Sequence, residues 1–214
     1  MPLKCVLFDL DNTLVDLPID WLSLREKITK EFLDEKTRKK AARLNKYIFY
    51  KFIYGSFYEE NPLKRKALLA LRESFEASGA RKSVLLFPKT KQLVGELDRH
   101  YLLGIVSGNA TKTIKAALKR HSLQEFFPVI VGLGETKIKP SPEPLLLAAK
   151  KLNVKPSECI YVCDNPDDVL SAKKAGMKAI KLKREFHSFI KIKALPFREL
   201  KSLHELPEAL NSLA

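Results

Sequence analysis

Two hydrophobic rhythms divide this chain. Short apolar, β-favouring runs occur at Cys5-Val6-Leu7-Phe8, Leu102-Leu103-Gly104-Ile105-Val106, Val129-Ile130-Val131, Cys159-Ile160-Tyr161-Val162-Cys163 and Lys178-Ala179-Ile180-Lys181-Leu182. Such runs predict strands buried on both faces. Between the later runs, apolar positions return at helical spacing. They predict helices over about Thr90 to His100, Thr111 to Arg120, Glu143 to Leu152 and Asp167 to Ala175, the last stopped by Gly176. Single helices between strands imply right-handed crossovers and a parallel sheet covered on both faces, a doubly wound α/β fold. In the tail, Ile190-Lys191-Ile192 is an expected edge strand, and Leu203 to Leu213 an expected closing helix.

From Leu17 to Phe87 the rhythm is helical only. Trp21, Leu24, Ile28 and Phe32 recur near 3.6-residue spacing. A second helix is expected over Lys36 to Phe52, broken by Gly55 and by the Asn61-Pro62 step. A third is expected over Pro62 to Ser78, with Gly79 ending it. The pattern therefore places a helical insertion at 17–87 within a core made of 1–16 and 88–214.

Candidate chemistry collects where the strands stop. The first strand stops at Asp9, and Asp11 follows at i+2. Side chains alternate along a strand, so the two carboxylates point the same way. In open α/β sheets, ligands bind at that end of the strands. Two carboxylates there can hold a hard cation, attack phosphorus or trade a proton. The plainer reading is that they cap a helix starting near Thr13. Three further polar clusters end strands or follow them: Ser107 with Gly108 and Asn109, Lys139 before Pro140-Ser141-Pro142, and Asp164 with Asp168. A parallel sheet puts all four clusters along one edge. Each also has a structural reading: Ser107 or Asp168 as a helix cap, Lys139 as a solvated lysine.

In this order the clusters resemble the four motifs of the haloacid dehalogenase superfamily, aspartate-nucleophile phosphohydrolases with a Rossmann-like core. Asp9-Leu10-Asp11-Asn12-Thr13 is similar to the first motif, Ser107 to the second, Lys139-Pro140 to the third and Asp164-Asn165-Pro166-Asp167-Asp168 to the acidic fourth. The insertion resembles the helical C1 cap of the phosphoglycolate-phosphatase-like branch, which closes over a small substrate and reads its leaving group. The resemblance implies a phosphatase acting on phosphate monoesters. Asp9 would be the nucleophile that becomes an aspartyl phosphate, and Asp11 the general acid and base. The resemblance also implies Mg²⁺, held by the Asp9 and Asp164 side chains and the Asp11 carbonyl, with Asp168 behind them. Ser107, Gly108 or Asn109, and Lys139 would hold phosphate. Dehalogenases of the superfamily lack the second aspartate, so Asp11 favours phosphoryl transfer. Two positions depart from the pattern: Cys163 stands where glycine is usual, and Asn165 where serine or threonine is common. Neither removes a charge or a ligand.

Composition narrows the setting. The chain has 214 residues, 45% of them hydrophobic, enough for a real core. No apolar run of about 18 residues marks a membrane span, and no secretory signal is evident. Cys5, Cys159 and Cys163 read as core thiols rather than a disulfide set or zinc site, which points to the cytoplasm. His100, His121, His187 and His204 are expected to have no catalytic part. The aromatic residues from Tyr47 to Tyr58 are expected to form insertion core.

The net charge is +14, and the insertion holds 16 Lys+Arg against 9 Asp+Glu. This excess has two readings. Basic side chains attract a polyanionic metabolite, or they form the solvated surface of a heat-adapted protein, in keeping with only two glutamines, Gln92 and Gln124. No basic-aromatic code for nucleic acid stands out. The competing functions are a catalytically silent relative that binds nucleic acid or a partner through its basic surface, and a phosphomutase. A mutase needs a group that shields the aspartyl phosphate from water, and none is identifiable.

Overall fold

Every residue of Cys5–Phe8 is fully buried, as a strand lined on both faces must be. The computed structural model describes residues 2–57, 61–184 and 194–212. In chain order, β1 (Cys5–Phe8) and the two-residue β2 (Val15–Asp16) lead into four helices: α1 (Trp21–Phe32), α2 (Glu35–Ala42), α3 (Lys46–Phe57) and α4 (Pro62–Lys82). The alternation then runs β3 (Leu85–Leu86), α5 (Thr90–Asp98), β4 (Leu102–Val106), α6 (Thr111–Arg120), β5 (Val129–Val131), α7 (Glu143–Lys151), β6 (Cys159–Cys163), α8 (Pro166–Ala175), β7 (Lys178–Leu182), β8 (Arg198–Leu200) and α9 (Leu206–Asn211). The chain divides into two compact units, Met1–Leu17 with Ser83–Ala214, and Pro18–Lys82.

The first unit is built on a six-stranded sheet in the order β5-β4-β1-β6-β7-β8. All five pairings are parallel. The chain winds outward from β1 through β4 to β5, then returns to the other side of β1 with β6. That reversal falls at β1, beside β4 and β6, and this class of sheet binds ligands at the carboxyl ends of the strands where such a reversal occurs. Cys5, Leu7, Tyr161 and Cys163 share one face with Leu145, Ala148, Ala149, Val169 and Ala172 of α7 and α8. Phe8 turns to the other face and meets Phe127 edge to face, with ring centroids 6.2 Å apart. Gly132, just past β5, has a packing reason: a Cβ there would lie 3.0 Å from the Asn109 carbonyl oxygen and closer still to Thr111. The segments leaving and rejoining this unit pair as an antiparallel ribbon, Val15 with Leu86 and Asp16 with Leu85. Strands of two residues are too short to carry a period, so β2 and β3 had no sequence signal.

The second unit is helical. Leu24, Ile28, Phe49, Ile53, Tyr54 and Leu68 are buried in it, and α1 packs on α4. Three expectations are corrected here. The single helix expected over Lys36 to Phe52 is two helices, because the Asn45 side chain accepts the Ile48 amide at 2.9 Å and starts a new one. Gly55 does not break α3, which runs to Phe57. Gly79 does not end α4, which continues to Lys82. Its missing side chain serves close approach instead: a Cβ would lie 2.6 Å from the Pro18 carbonyl oxygen. In the tail, Leu203–Glu205 is a 3₁₀ turn, and only Leu206–Asn211 is α-helical. Among the described residues the strand beyond β7 is β8, and the expected edge strand at 190–192 lies outside the described residues, as does His187. No helix among the described residues is long and apolar enough to cross a membrane.

Candidate active site

The site is assembled from strand ends. Asp9 follows β1 directly, and its amide donates to the Val162 carbonyl at 2.9 Å, continuing the ladder for one more residue. The residue is 6% exposed. Beyond it the chain turns tightly. Asn12 adopts a left-handed φ of 60°, a conformation Asn tolerates better than most residues. The Thr13, Leu14 and Val15 amides all return to the Leu10 carbonyl. This turn presents Asp11, whose Oδ1 accepts the Leu17 amide at 3.0 Å. The pair therefore does not cap a helix: no helix begins near Thr13, and the first one starts at Trp21.

The other clusters arrive as the parallel sheet requires. Ser107 ends β4, and its amide donates to the Val131 carbonyl at 3.0 Å. Its hydroxyl donates to Asn109 Oδ1 at 2.9 Å. The helix-cap reading of Ser107 fails, because the residue capping α6 is Ala110, with no side-chain cap bond. Asp164 ends β6 and is 2% exposed. Asp168 sits in the first turn of α8, but the cap of that helix is Asn165, which accepts the Asp167 amide at 3.0 Å. The Asp168 carboxylate turns instead to Lys139, at 2.9 Å.

Lys139 is the centre of the cluster. It precedes a cis peptide to Pro140, and its ammonium donates to Asp9 at 2.9 Å, to Asp168 at 2.9 Å and to the Tyr161 hydroxyl at 2.8 Å. An ammonium has three N–H groups, and all three are engaged. Burial works to lower the Lys139 pKa, but Asp168 and Asp9 outweigh it, and the net shift is upward. The lysine is therefore a fixed positive charge.

The acids are shifted upward as well, which for a carboxyl favours the neutral form. Burial pushes Asp11 up to about 8, against the Leu17 amide and with help from Asp9 and Asp164. Burial also raises Asp9, which Lys139 opposes and Asp164 reinforces. Asp168 moves upward for the same first reason, again opposed by Lys139. Gly108 lies beside Ser107 and is half-buried, and Asn109 is buried. All the residues expected from the sequence to share one edge thus sit at adjoining strand ends or reach each other directly.

Two residues were missed. Tyr161 reads as one more apolar residue of β6, yet its hydroxyl donates to the Val106 carbonyl at 2.6 Å and accepts from Lys139. Burial, then Asp168 and Asp9, hold it neutral by raising its pKa well above normal. The available signal was a hydroxyl-bearing ring in an otherwise aliphatic buried strand. Arg184, two residues past β7, donates from Nε to the Asn12 carbonyl at 2.7 Å and stacks on Phe87 at 4.5 Å. Its sequence signal was lost among many basic residues.

The donor set fits a hard dication. Asp9, Asp164 and Asp168 each offer a carboxylate oxygen, and these lie within 4.8 Å of one another. When ionised they carry three negative charges against the single ammonium of Lys139, leaving an excess that a divalent cation with oxygen preference would balance. The Asp11 side chain stands outside that group and faces the Leu17 amide.

Comparison with known proteins agrees with this arrangement. A family model described as "Haloacid dehalogenase-like hydrolase" matches residues 6–182. The chain is 30% identical over 184 residues to the pyrophosphatase PpaX of Bacillus cereus strain Q1, covering 83% of this chain and 82% of that one. Among solved structures, CbbY from Rhodobacter sphaeroides, in complex with phosphate, superposes with a TM-score of 0.68 at 21% identity, over 95% of this chain and 96% of that one. A 2-haloacid dehalogenase from Pseudomonas syringae pv. Tomato also has a TM-score of 0.68, at 26% identity, over 99% and 100%.

Proposed function

The chain belongs to the haloacid dehalogenase-like hydrolases, on their phosphatase side, and from that premise we propose that it is a Mg²⁺-dependent phosphatase acting through an aspartyl phosphate on Asp9. The observation that carries this reading is Asp11. It is a carboxyl two residues from the nucleophile whose pKa burial lifts to about 8, so it is protonated at neutral pH. A general acid is useful where an alkoxide or phosphate must leave, and its best pKa lies near the working pH. Carbon–halogen displacement expels halide and has no use for it, so the group supports phosphoryl transfer.

The steps follow from the chain's own groups. An Asp9 carboxylate oxygen attacks phosphorus, and the bond from phosphorus to the leaving oxygen breaks. Asp11 delivers its proton to that oxygen, so it departs as a hydroxyl rather than an oxyanion. Asp11, now ionised, takes a proton from a water that attacks phosphorus in turn. The bond from phosphorus to Asp9 breaks, and both aspartates return to their starting states. Ser107 and the Gly108 and Asn109 amides hold phosphoryl oxygens. Lys139 keeps Asp9 ionised and oriented. Mg²⁺ held by Asp9, Asp164 and the Asp11 carbonyl would supply charge neutralisation for the transferring group. The helical unit takes the role of the family's cap, and the substrate is a small phosphorylated metabolite.

A panel of phosphomonoesters and inorganic pyrophosphate, assayed with and without Mg²⁺, tests this. Turnover is expected only with Mg²⁺. Turnover that persists in a chelator, or that is absent from the whole panel, would remove the proposal.

A further inference from the structure

We propose that Arg184 is a second anion-binding group of this site, selecting substrates that carry another negative charge beyond the phosphoryl group attacked. The proposal rests on the phosphatase reading of the Asp9 centre and deepens it. The substrate class is a pyrophosphate, a bisphosphate or a phosphorylated carboxylic acid.

Three features of its geometry support this. First, Arg184 follows β7, at the same carboxyl edge of the sheet as Asp9, Ser107 and Asp164. Its Nε is bonded at 2.7 Å to the carbonyl of Asn12, the residue after Asp11. Second, the guanidinium is held in place. The hydrogen bond fixes one edge and the Phe87 ring, 4.5 Å from Cζ, fixes the plane. Phe87 is fixed in turn, because its amide donates to the Leu14 carbonyl at 3.1 Å. Third, the guanidinium is a five-donor fork. Nε takes up one edge, and no described residue accepts a hydrogen bond from the two terminal amino groups. Asp164 lies within electrostatic reach of the same group.

The contrast with Lys139 gives the chemistry. Lys139 spends its three N–H groups inside the protein, on Asp9, Asp168 and Tyr161. Its charge serves the carboxylates. Arg184 makes one backbone contact and forms no ion pair among the described residues. A planar fork whose two terminal amino groups meet no acceptor among the described residues matches a phosphate or carboxylate in bidentate fashion. Because the fork is already oriented, little side-chain freedom is lost on binding.

A charged hydrogen-bonding group of this kind is worth about tenfold or more in affinity. The test compares the whole chain with Arg184→Gln and Arg184→Lys in the presence of Mg²⁺. Two substrates are used: inorganic pyrophosphate, and 4-nitrophenyl phosphate, whose leaving group carries no second anion before cleavage. Arg184→Gln should raise KM for pyrophosphate about tenfold and lower the ratio of kcat/KM for pyrophosphate over 4-nitrophenyl phosphate by a similar factor. Arg184→Lys should recover much of that ratio. Pyrophosphate affinity measured by calorimetry in an Asp9→Asn background, where turnover is not needed, should fall in the same proportion. Equal losses on both substrates, or an affinity that does not change, would overturn the proposal and leave Arg184 as a tie for the Asn12 turn. The phosphatase reading fails separately, if the unsubstituted chain turns over neither substrate, and the calorimetric arm still decides the role of Arg184.

Discussion

Each unit of this protein buries a cation against carboxylates, and the two clusters are put together differently. In the helical unit, Arg72 donates from Nε to Glu76 Oε1 at 2.8 Å, one turn along the same helix. Its guanidinium lies 5.3 Å from the Trp21 ring and 5.2 Å from that of Tyr54. Among the described residues this is one cation facing one carboxylate. Burial works to lower the Arg72 pKa, but Tyr54 and Glu76 raise it on balance. At the sheet edge, Lys139 faces Asp9 and Asp168 directly, with Asp164 close by. Here negative charge is in excess, and burial pushes Asp9, Asp11 and Asp168 upward. A balanced pair holds a fold together. An unbalanced cluster stores electrostatic strain that a cation and a phosphoryl group can relieve. Burial and distance alone do not separate the two, but the charge count does.

Several changes would break or sharpen that contrast. The largest effect is expected from Asp11→Asn, which removes the proton donor and should cut kcat by about 10²–10⁴ on alkyl phosphates. The loss should be smaller on 4-nitrophenyl phosphate, whose leaving group needs little protonation; equal losses would contradict the acid role. Next comes a matched pair of replacements. Lys139→Met should lower kcat about a hundredfold or more. Arg72→Met, read by denaturant unfolding, should cost about 3–5 kcal/mol by taking the Arg72 charge away from the buried Glu76. Adding Glu76→Leu should restore most of that stability, because a buried pair is replaceable by apolar packing. Adding Asp168→Leu to Lys139→Met should not restore activity. Tyr161→Phe should lower kcat about tenfold, since it leaves one Lys139 N–H and the Val106 carbonyl without their partner.

The smallest expected effect is on melting. A carboxyl whose folded pKa is raised contributes stability below its ordinary value near 4, and that contribution is lost as pH climbs through the folded value. For Asp11 the folded value is about 8. In a chelator, Tm should therefore fall between about pH 4 and pH 8. Added Mg²⁺ should raise it, more at the upper end, where the ligands are ionised. A chelated Tm that climbs steadily across that window would contradict the electrostatic picture.

How much of this was legible in the sequence depended on pattern length. β1, β4, β5 and β6 were readable because each is a continuous apolar run, β7 because Ala179, Ile180 and Leu182 follow the helix stop at Gly176, and the acids were readable because β1 and β6 stop at them. Their convergence followed from the parallel topology. The helical unit was harder, since Gly55 and Gly79 look like breakers while Gly79 is there to let α4 approach Pro18. Asn45 splits one expected helix into two with a single side-chain bond. β8, with the sequence Arg198-Glu199-Leu200, has two polar residues of three and pairs with one neighbour among the described residues, so it left no apolar run. Tyr161 and Arg184 were illegible for a different reason. Their importance lies in which atoms they meet across the sheet, at sequence separations of 22 and 172 residues, and no local spacing encodes that.

The central claim is that Asp9 carries the phosphoryl group during turnover. Acid-quenching the Mg²⁺-loaded chain during steady turnover of a ³²P-labelled substrate, then digesting it, tests this most directly. The account predicts label on the peptide containing Asp9, and neither label nor turnover after Asp9→Asn. Label on a different residue, or an Asp9→Asn chain that still turns over substrate, would contradict it.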